Sequence, residues 1–261
     1  MRRSFLQPNM RAVLLAISLL CLGAPAARAA APETWSVSKQ APCMGLTVSW
    51  TPTLPDLQQL VGPHWHPAQG PVAGHGILLL FATRCPQSRI GGKATGPFTM
   101  GAVIVPVEPP TDTRGIKQSN GHGWAVVAEV LGPEHSPVMQ LFKRHGFTVS
   151  NAQVRLTLYK TAKQLQPSIS IVTKDGHMGV HAEVSGPAKR FDIVSALGGN
   201  NPELFSLFTG KESASRQEQG TAIATAGGTT LVSQFHLAPK PGRVMLDRDF
   251  TWSFRFSDQP Y

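Results

Sequence analysis

Near the C-terminus, Phe250-Thr251-Trp252-Ser253-Phe254-Arg255-Phe256 sets an aromatic ring at every second position. Residues two apart in a strand share a face, so Phe250, Trp252, Phe254 and Phe256 form one aromatic stripe. A stripe of that size needs a core to sit in, which demands a strand with one face buried. The rest of the chain is punctuated by 25 glycines and 22 prolines, and the runs between them are mostly of strand length.

Strands are predicted over 35–39, 46–50, 77–83, 98–107 and 124–131, with Pro106 placing a bulge or an edge near the end of the fourth. Further strands are predicted over 168–173, 178–184, 221–226 and 229–237. Lys174-Asp175-Gly176 and Gly227-Gly228 supply their turns. Residues 109–121 and 213–220 read as loops, and 191–197 and 202–208 as short helical turns around Gly198-Gly199. No repeat and no alternating βα series occurs. The fold class predicted is mainly β (α+β), a closed or strongly curved antiparallel β-barrel with a few short helices.

The best-punctuated unit runs from Gly121 to Tyr159. An apolar run stops at Gly132-Pro133, and a short helix follows with Ser136 as cap, Pro137 in its first turn and Gly146 as its left-handed stop. Beyond it, Val154, Leu156 and Leu158 alternate with Arg155, Thr157 and Tyr159. A second helix is predicted over 54–61, ended by Gly62-Pro63.

The first residues read as an export signal. Arg2, Arg3 and Arg11 precede an apolar run, Ala12 to Leu22, too short to span a bilayer, and Ala27-Arg28-Ala29 offers a cleavage site. Cleavage after Ala29 leaves residues 30–261 as a single β-rich domain, periplasmic or secreted and not integral to a membrane. Arg2-Arg3-Ser4-Phe5-Leu6-Gln7 resembles a twin-arginine signal, whereas the gap before the apolar run and the alternative start Met10 suit the general secretory route. Four signal arginines carry much of the net charge of +9, and what remains forms no basic stripe, so nucleic acid is not an expected partner. Cys43 and Cys85 are the cysteines left after cleavage. An oxidising compartment favours their pairing as a disulfide, and two buried thiols are the alternative.

Few residues suggest chemistry. His64-Trp65-His66 puts two imidazoles at strand spacing, a candidate metal pair, but no third ligand is apparent and no cofactor is expected. No Gly-x-Ser-x-Gly elbow, phosphate loop or dinucleotide fingerprint is present. Glu108 and Glu129 lie at or inside apolar runs, where burial raises a carboxyl pKa. Lys143, beside Arg144 at a helix end, is the candidate lysine, although the helix dipole already accounts for both cations.

The order of elements from Leu54 to Leu158 resembles the acetoacetate decarboxylase-like family. The resemblance rests on the helix Asp56 to Pro63, the strand Ile77 to Phe81, the strand Phe98 to Val107, and the strand–helix unit ending at Gly146-Phe147. It implies a cone-like β-barrel whose interior takes a small organic molecule. Where the family carries Pro-Lys-Lys after the aromatic residue, this chain has Thr148-Val149-Ser150, so the Schiff-base lysine falls on Val149. The family's Gly-Arg-Glu falls on Leu141-Phe142-Lys143, and its acidic residue after the strand Thr falls on Met100. Valine cannot form an imine.

The sequence therefore leans away from an enzyme. The reading is an exported, non-catalytic barrel that binds a small apolar or organic-acid ligand, with Met100, Phe147, Val149 and Trp124 as pocket candidates. A decarboxylase-like lyase or hydrolase with relocated active residues is the alternative. An envelope or secreted interaction protein is a further one.

Overall fold

The aromatic stripe lies in the last and longest strand, and the sheet closes around it. A computed structural model describes residues 33–109, 122–161, 164–201, 204–230, 234–235, 237 and 241–260. Within them the strands are β1 (Thr34–Val37), β2 (Cys43–Trp50), β3 (Leu78–Cys85), β4 (Arg89–Ile90), β5 (Lys93–Ala94), β6 (Phe98–Pro106), β7 (His122–Gly132) and β8 (Val149–Asn151). They continue with β9 (Gln153–Lys160), β10 (Leu165–Val172), β11 (Gly176–Ser185), β12 (Lys189–Gly199), β13 (Leu204–Gln217), β14 (Gln219–Gly228) and β15 (Gly242–Pro260). The helices are α1 (Leu54–Val61) and α2 (Pro137–Arg144).

Seven strands in the order β13-β12-β7-β6-β3-β2-β15 form a barrel, closed where β15 pairs again with β13. Neighbours are antiparallel except at the β7–β12 seam, which is parallel. A parallel pair needs a long crossover, and here the intervening chain builds α2, β8 and the hairpin strands β9 to β11. The first residues of β15 pair instead with β14, which extends the sheet into a wing of β14, β11, β10 and β9. The wing folds back so that β9 packs against β3, β6 and β7.

The alternation of each barrel strand thus feeds two cores. Leu46, Val48, Leu80 and Val103 face outward to meet Val154, Ile169, Val180 and Ala224 from the wing. The other face sends Met100, Ala102, Phe250, Trp252, Phe254 and Phe256 inward, so the stripe lies in the barrel interior. Trp35 crosses this interior at 4.7 Å from Trp252 and 5.4 Å from Phe142, ring centre to ring centre. Helix α2 adds Val138, Leu141 and Phe142 to the same cluster. It is delimited as its sequence predicts, with the Ser136 hydroxyl accepting from the Met139 amide at 3.2 Å and Gly146 at φ 72°. Thr53 caps α1, and Gly62 ends it at φ 77°.

Cys43 and Cys85 are joined as a disulfide between β2 and β3, closing a loop across 42 residues of separation. Such a loop contributes about 3–5 kcal/mol through the unfolded chain.

Some expected elements change. Residues 191–197 belong to β12 and 204–208 to β13, where helical turns are predicted from sequence. Small and apolar residues mixed without strict alternation hide a strand that touches neighbours on both faces. The predicted loop at 213–220 is the end of β13, a tight turn and the start of β14. The strand predicted over 229–237 is absent from its described residues, which are bend, helix, turn or irregular chain. Most of the 109–121 loop and all of the signal segment lie outside the described residues.

Candidate active site in the barrel interior

The interior is not completely filled. A cavity of about 310 Å³ lies within it, walled by Phe81, Met100, Phe142, Phe250, Trp252 and Phe254 among others. That volume is at the small end of what ligand sites enclose. Set into this apolar wall are Ser195 from β12, Glu212 and Arg216 from β13, and Asp247 from β15.

Two irregularities in β15 and β13 bring these groups inside. The β2–β15 register shifts between Asp247 and Phe250, and Asp249 takes φ 54°, the only positive φ outside glycine among the described residues. The extra length lets Asp247 and Phe250 both face inward, where strict alternation would have followed Asp247 with Asp249. A matching shift in the β13–β15 pairing falls between Ser213 and Ser215.

Arg216 stands directly opposite Asp247 in that register and is bound to it twice. Its Nε donates to Asp247 Oδ1 at 2.6 Å, and its Nη2 donates to Oδ2 at 2.8 Å. This bidentate geometry is the strongest form of the pair. Phe191 covers a face of the guanidinium, with Arg216 Cζ 3.4 Å from the ring centre.

Glu212 has no such partner. It keeps intermediate accessibility while lying deep in the protein, as a side chain does when it faces a cavity. Burial pushes its pKa above the ordinary carboxylate range. A hydrogen bond from Ser195 and the charge of Arg216 pull the other way, and Asp247 adds to the rise. The result is a carboxyl that keeps its proton at higher pH than a surface glutamate. In an apolar enclosure such a group can donate a proton and, once ionised, take one back.

The residues expected from sequence divide between this cavity and a second, larger cleft of about 980 Å³ between barrel and wing. Met100 lines the barrel cavity, and Trp124 borders it while packing with the outer core. Phe147 is buried edge-on to Phe142 at 5.3 Å in the interior cluster, behind the cavity wall. Val149, Lys143 and Glu129 all line the cleft.

Glu129 arrives there through a bulge. The β6–β7 register slips between Val103 and Ile104, so that Val127 and Val130 face the barrel interior while Glu129 turns to the cleft. There it accepts a short hydrogen bond from the Ser150 hydroxyl. Lys143 pairs with Glu134 at 3.6 Å, both side chains being largely exposed.

Glu108 is exposed and meets neither site; its backbone amide donates to His66 O at 2.8 Å. His64 and His66 are exposed on either side of buried Trp65, whose indole donates to Gly199 O at 3.1 Å. No group of three or more His, Cys, Asp or Glu side chains suited to a metal occurs among the described residues.

Sequence reasoning missed Ser195, Glu212, Arg216 and Asp247. The available signal was weak: Asp247 stands immediately before the aromatic strand, two residues from Met245 on the same face.

The site is a small, apolar cavity in a closed barrel with a buried carboxyl, and the fold that carries it recurs in solved structures. The enduracididine biosynthesis enzyme MppR, solved with pyruvate, superposes with a TM-score of 0.55 at 12% identity, over 92% of this chain and 93% of that one. An acetoacetate decarboxylase-like enzyme from Sphingomonas wittichii RW1 gives a TM-score of 0.55 at 11% identity, over 88% and 93% of the two chains. MppR with the condensation product of pyruvate and imidazole 4-carboxaldehyde gives 0.54 at 11% identity. No protein-family model matches the sequence, and no curated protein matches it either. The chain has the acetoacetate decarboxylase-like fold.

Proposed function

We propose that the protein is an acid–base enzyme of lyase type that acts on a small organic molecule in the barrel interior, with Glu212 as its proton donor and acceptor. The observation that carries this reading is a carboxyl of raised pKa facing an apolar cavity. The solved structures that share the fold are enzymes, one of them holding pyruvate, which supports chemistry on a small carbonyl compound. An imine mechanism does not suit the site, because no lysine lines the cavity among the described residues and Val149 stands at the cleft. Ser195 positions the Glu212 carboxyl, and the Arg216–Asp247 pair sets the field around it. The wall of aromatic rings excludes water from the proton transfer.

A second reading, a binder without turnover, is favoured by one observation: Arg216 and Asp247 satisfy each other and leave one group for chemistry. Proton NMR in D₂O separates the two. Small ketones and β-hydroxy ketones are incubated with the chain, and exchange next to the carbonyl or loss of water is followed. The enzyme reading expects turnover, reduced at least about 100-fold by Glu212→Gln. Binding with no exchange and no elimination would leave the binder.

The reading includes export. No helix among the described residues is long and apolar enough to cross a membrane, and the Cys43–Cys85 disulfide suits an oxidising compartment. Residues 1–29 supply the export signal. Mass analysis of the protein recovered from the producing cell's envelope fraction, with a mature start near Ala30, tests this part.

A further inference from the structure

We infer that the barrel cavity takes a neutral, largely apolar molecule with a hydrogen-bond acceptor and turns away carboxylates, keto acids included. The inference rests on the reading of the barrel as the ligand site, and it follows from counting charges. Among the described residues that line the cavity, three are ionisable: Glu212, Arg216 and Asp247. One cation thus stands against two carboxyl groups. With Asp247 ionised in its pair, the wall is neutral when Glu212 holds its proton and negative when it does not. Neither state attracts an anion.

Geometry closes the remaining route. Arg216 is the cation that a carboxylate would need, and its charge is already matched by Asp247, to which Nε and one Nη2 hydrogen donate at 2.6 and 2.8 Å. Phe191 occupies a face of the guanidinium at 3.4 Å. Asp247 is buried beside it, so releasing Arg216 to a ligand would strand a second buried charge. An incoming carboxylate would therefore lose its hydration inside an aromatic wall with no free counter-charge. A neutral carbonyl or ether oxygen loses far less and can accept the Glu212 proton. The chemistry suited to such a ligand is enolisation or elimination beside a neutral carbonyl. Loss of carbon dioxide from a free acid does not fit the site.

Matched pairs differing in charge test this: benzamide against benzoate, and heptan-2-one against hexanoate. Each is titrated into the purified chain at neutral pH by calorimetry, with fluorescence of Trp35 and Trp252 reporting on the cavity wall. The neutral member of each pair is expected to bind at least about tenfold more tightly. Carboxylates that bind as well as or better than their neutral partners would overturn the inference and leave the site reading standing. If no member of either pair binds, the site reading fails and this inference with it.

Asp247→Asn frees the Arg216 charge and is expected to reverse the preference towards benzoate; an unchanged preference would contradict the charge count. Because that variant leaves a buried cation unpaired, the double variant Arg216→Gln with Asp247→Asn is run beside it. The double variant keeps the net charge of the wall as it is in wild type and is expected to prefer benzamide; tighter benzoate binding there would also contradict the count.

Discussion

The barrel interior and the barrel–wing cleft hold the same kinds of residues to opposite effect. Each has a glutamate with a serine partner and a basic side chain with an acidic one. In the cleft, Glu129 is half-buried and takes the Ser150 hydroxyl, while Lys143 and Glu134 meet in solvent. In the barrel, burial raises the pKa of Glu212, and Arg216 and Asp247 meet largely out of water. Composition alone does not separate the two; the depth at which the charged groups are buried does. Low dielectric turns an ion pair of little consequence into one that cannot be broken cheaply, and an ordinary carboxyl into a proton carrier.

Mutations on the two sides should differ accordingly. Asp247→Ala is expected to cost about 3–5 kcal/mol in urea unfolding, since it leaves the Arg216 charge buried without a partner. Glu212→Gln is expected to remove at least about 100-fold in turnover, equivalent to about 2.7 kcal/mol of barrier. It should also change the dependence of stability on pH. Because the folded-state pKa is raised, the folded chain holds more protons than the unfolded one from about the ordinary glutamate value of 4.5 upward. Wild-type stability therefore falls across that window as pH rises, and the difference between wild type and Glu212→Gln should change through it. A pH-independent difference would contradict the raised pKa.

On the cleft side, Glu129→Gln with Ser150→Ala is expected to cost only about 0.5–1.5 kcal/mol and to leave ligand binding in the barrel unchanged. Lys143→Ala should be smaller still, within about 1 kcal/mol, because the pair it breaks is exposed. If either cleft variant abolished binding or turnover, the roles given to the two regions would have to be exchanged.

The division also explains what could be read from the sequence. The aromatic strand, both helices with their glycine stops, the Ser136 cap, the Asp175-Gly176 hairpin and the β-barrel class were legible, because each rests on local periodicity or turn chemistry. The fold resemblance was legible from the order of elements between Leu54 and Leu158. The active groups were not. Glu212 and Arg216 lie in β13, whose Gly210-Lys211-Glu212-Ser213-Ala214-Ser215 run looks solvated because one of its faces lines a cavity. Glu129 misled in the opposite direction: alternation from Val127 would place it in the barrel, and a bulge that no local residue announces turns it out. Register shifts set by partner strands decide both cases, and a single strand's sequence does not carry them.

The central claim is that Glu212 keeps its proton inside the barrel to higher pH than an ordinary glutamate, ready to give it to a neutral ligand. Infrared difference spectroscopy of wild type against Glu212→Gln, followed as pH rises past the ordinary glutamate value of 4.5, measures this directly. A protonated-carboxyl band present in wild type and missing from the variant is the predicted result. Loss of that band already at the ordinary glutamate value would contradict it.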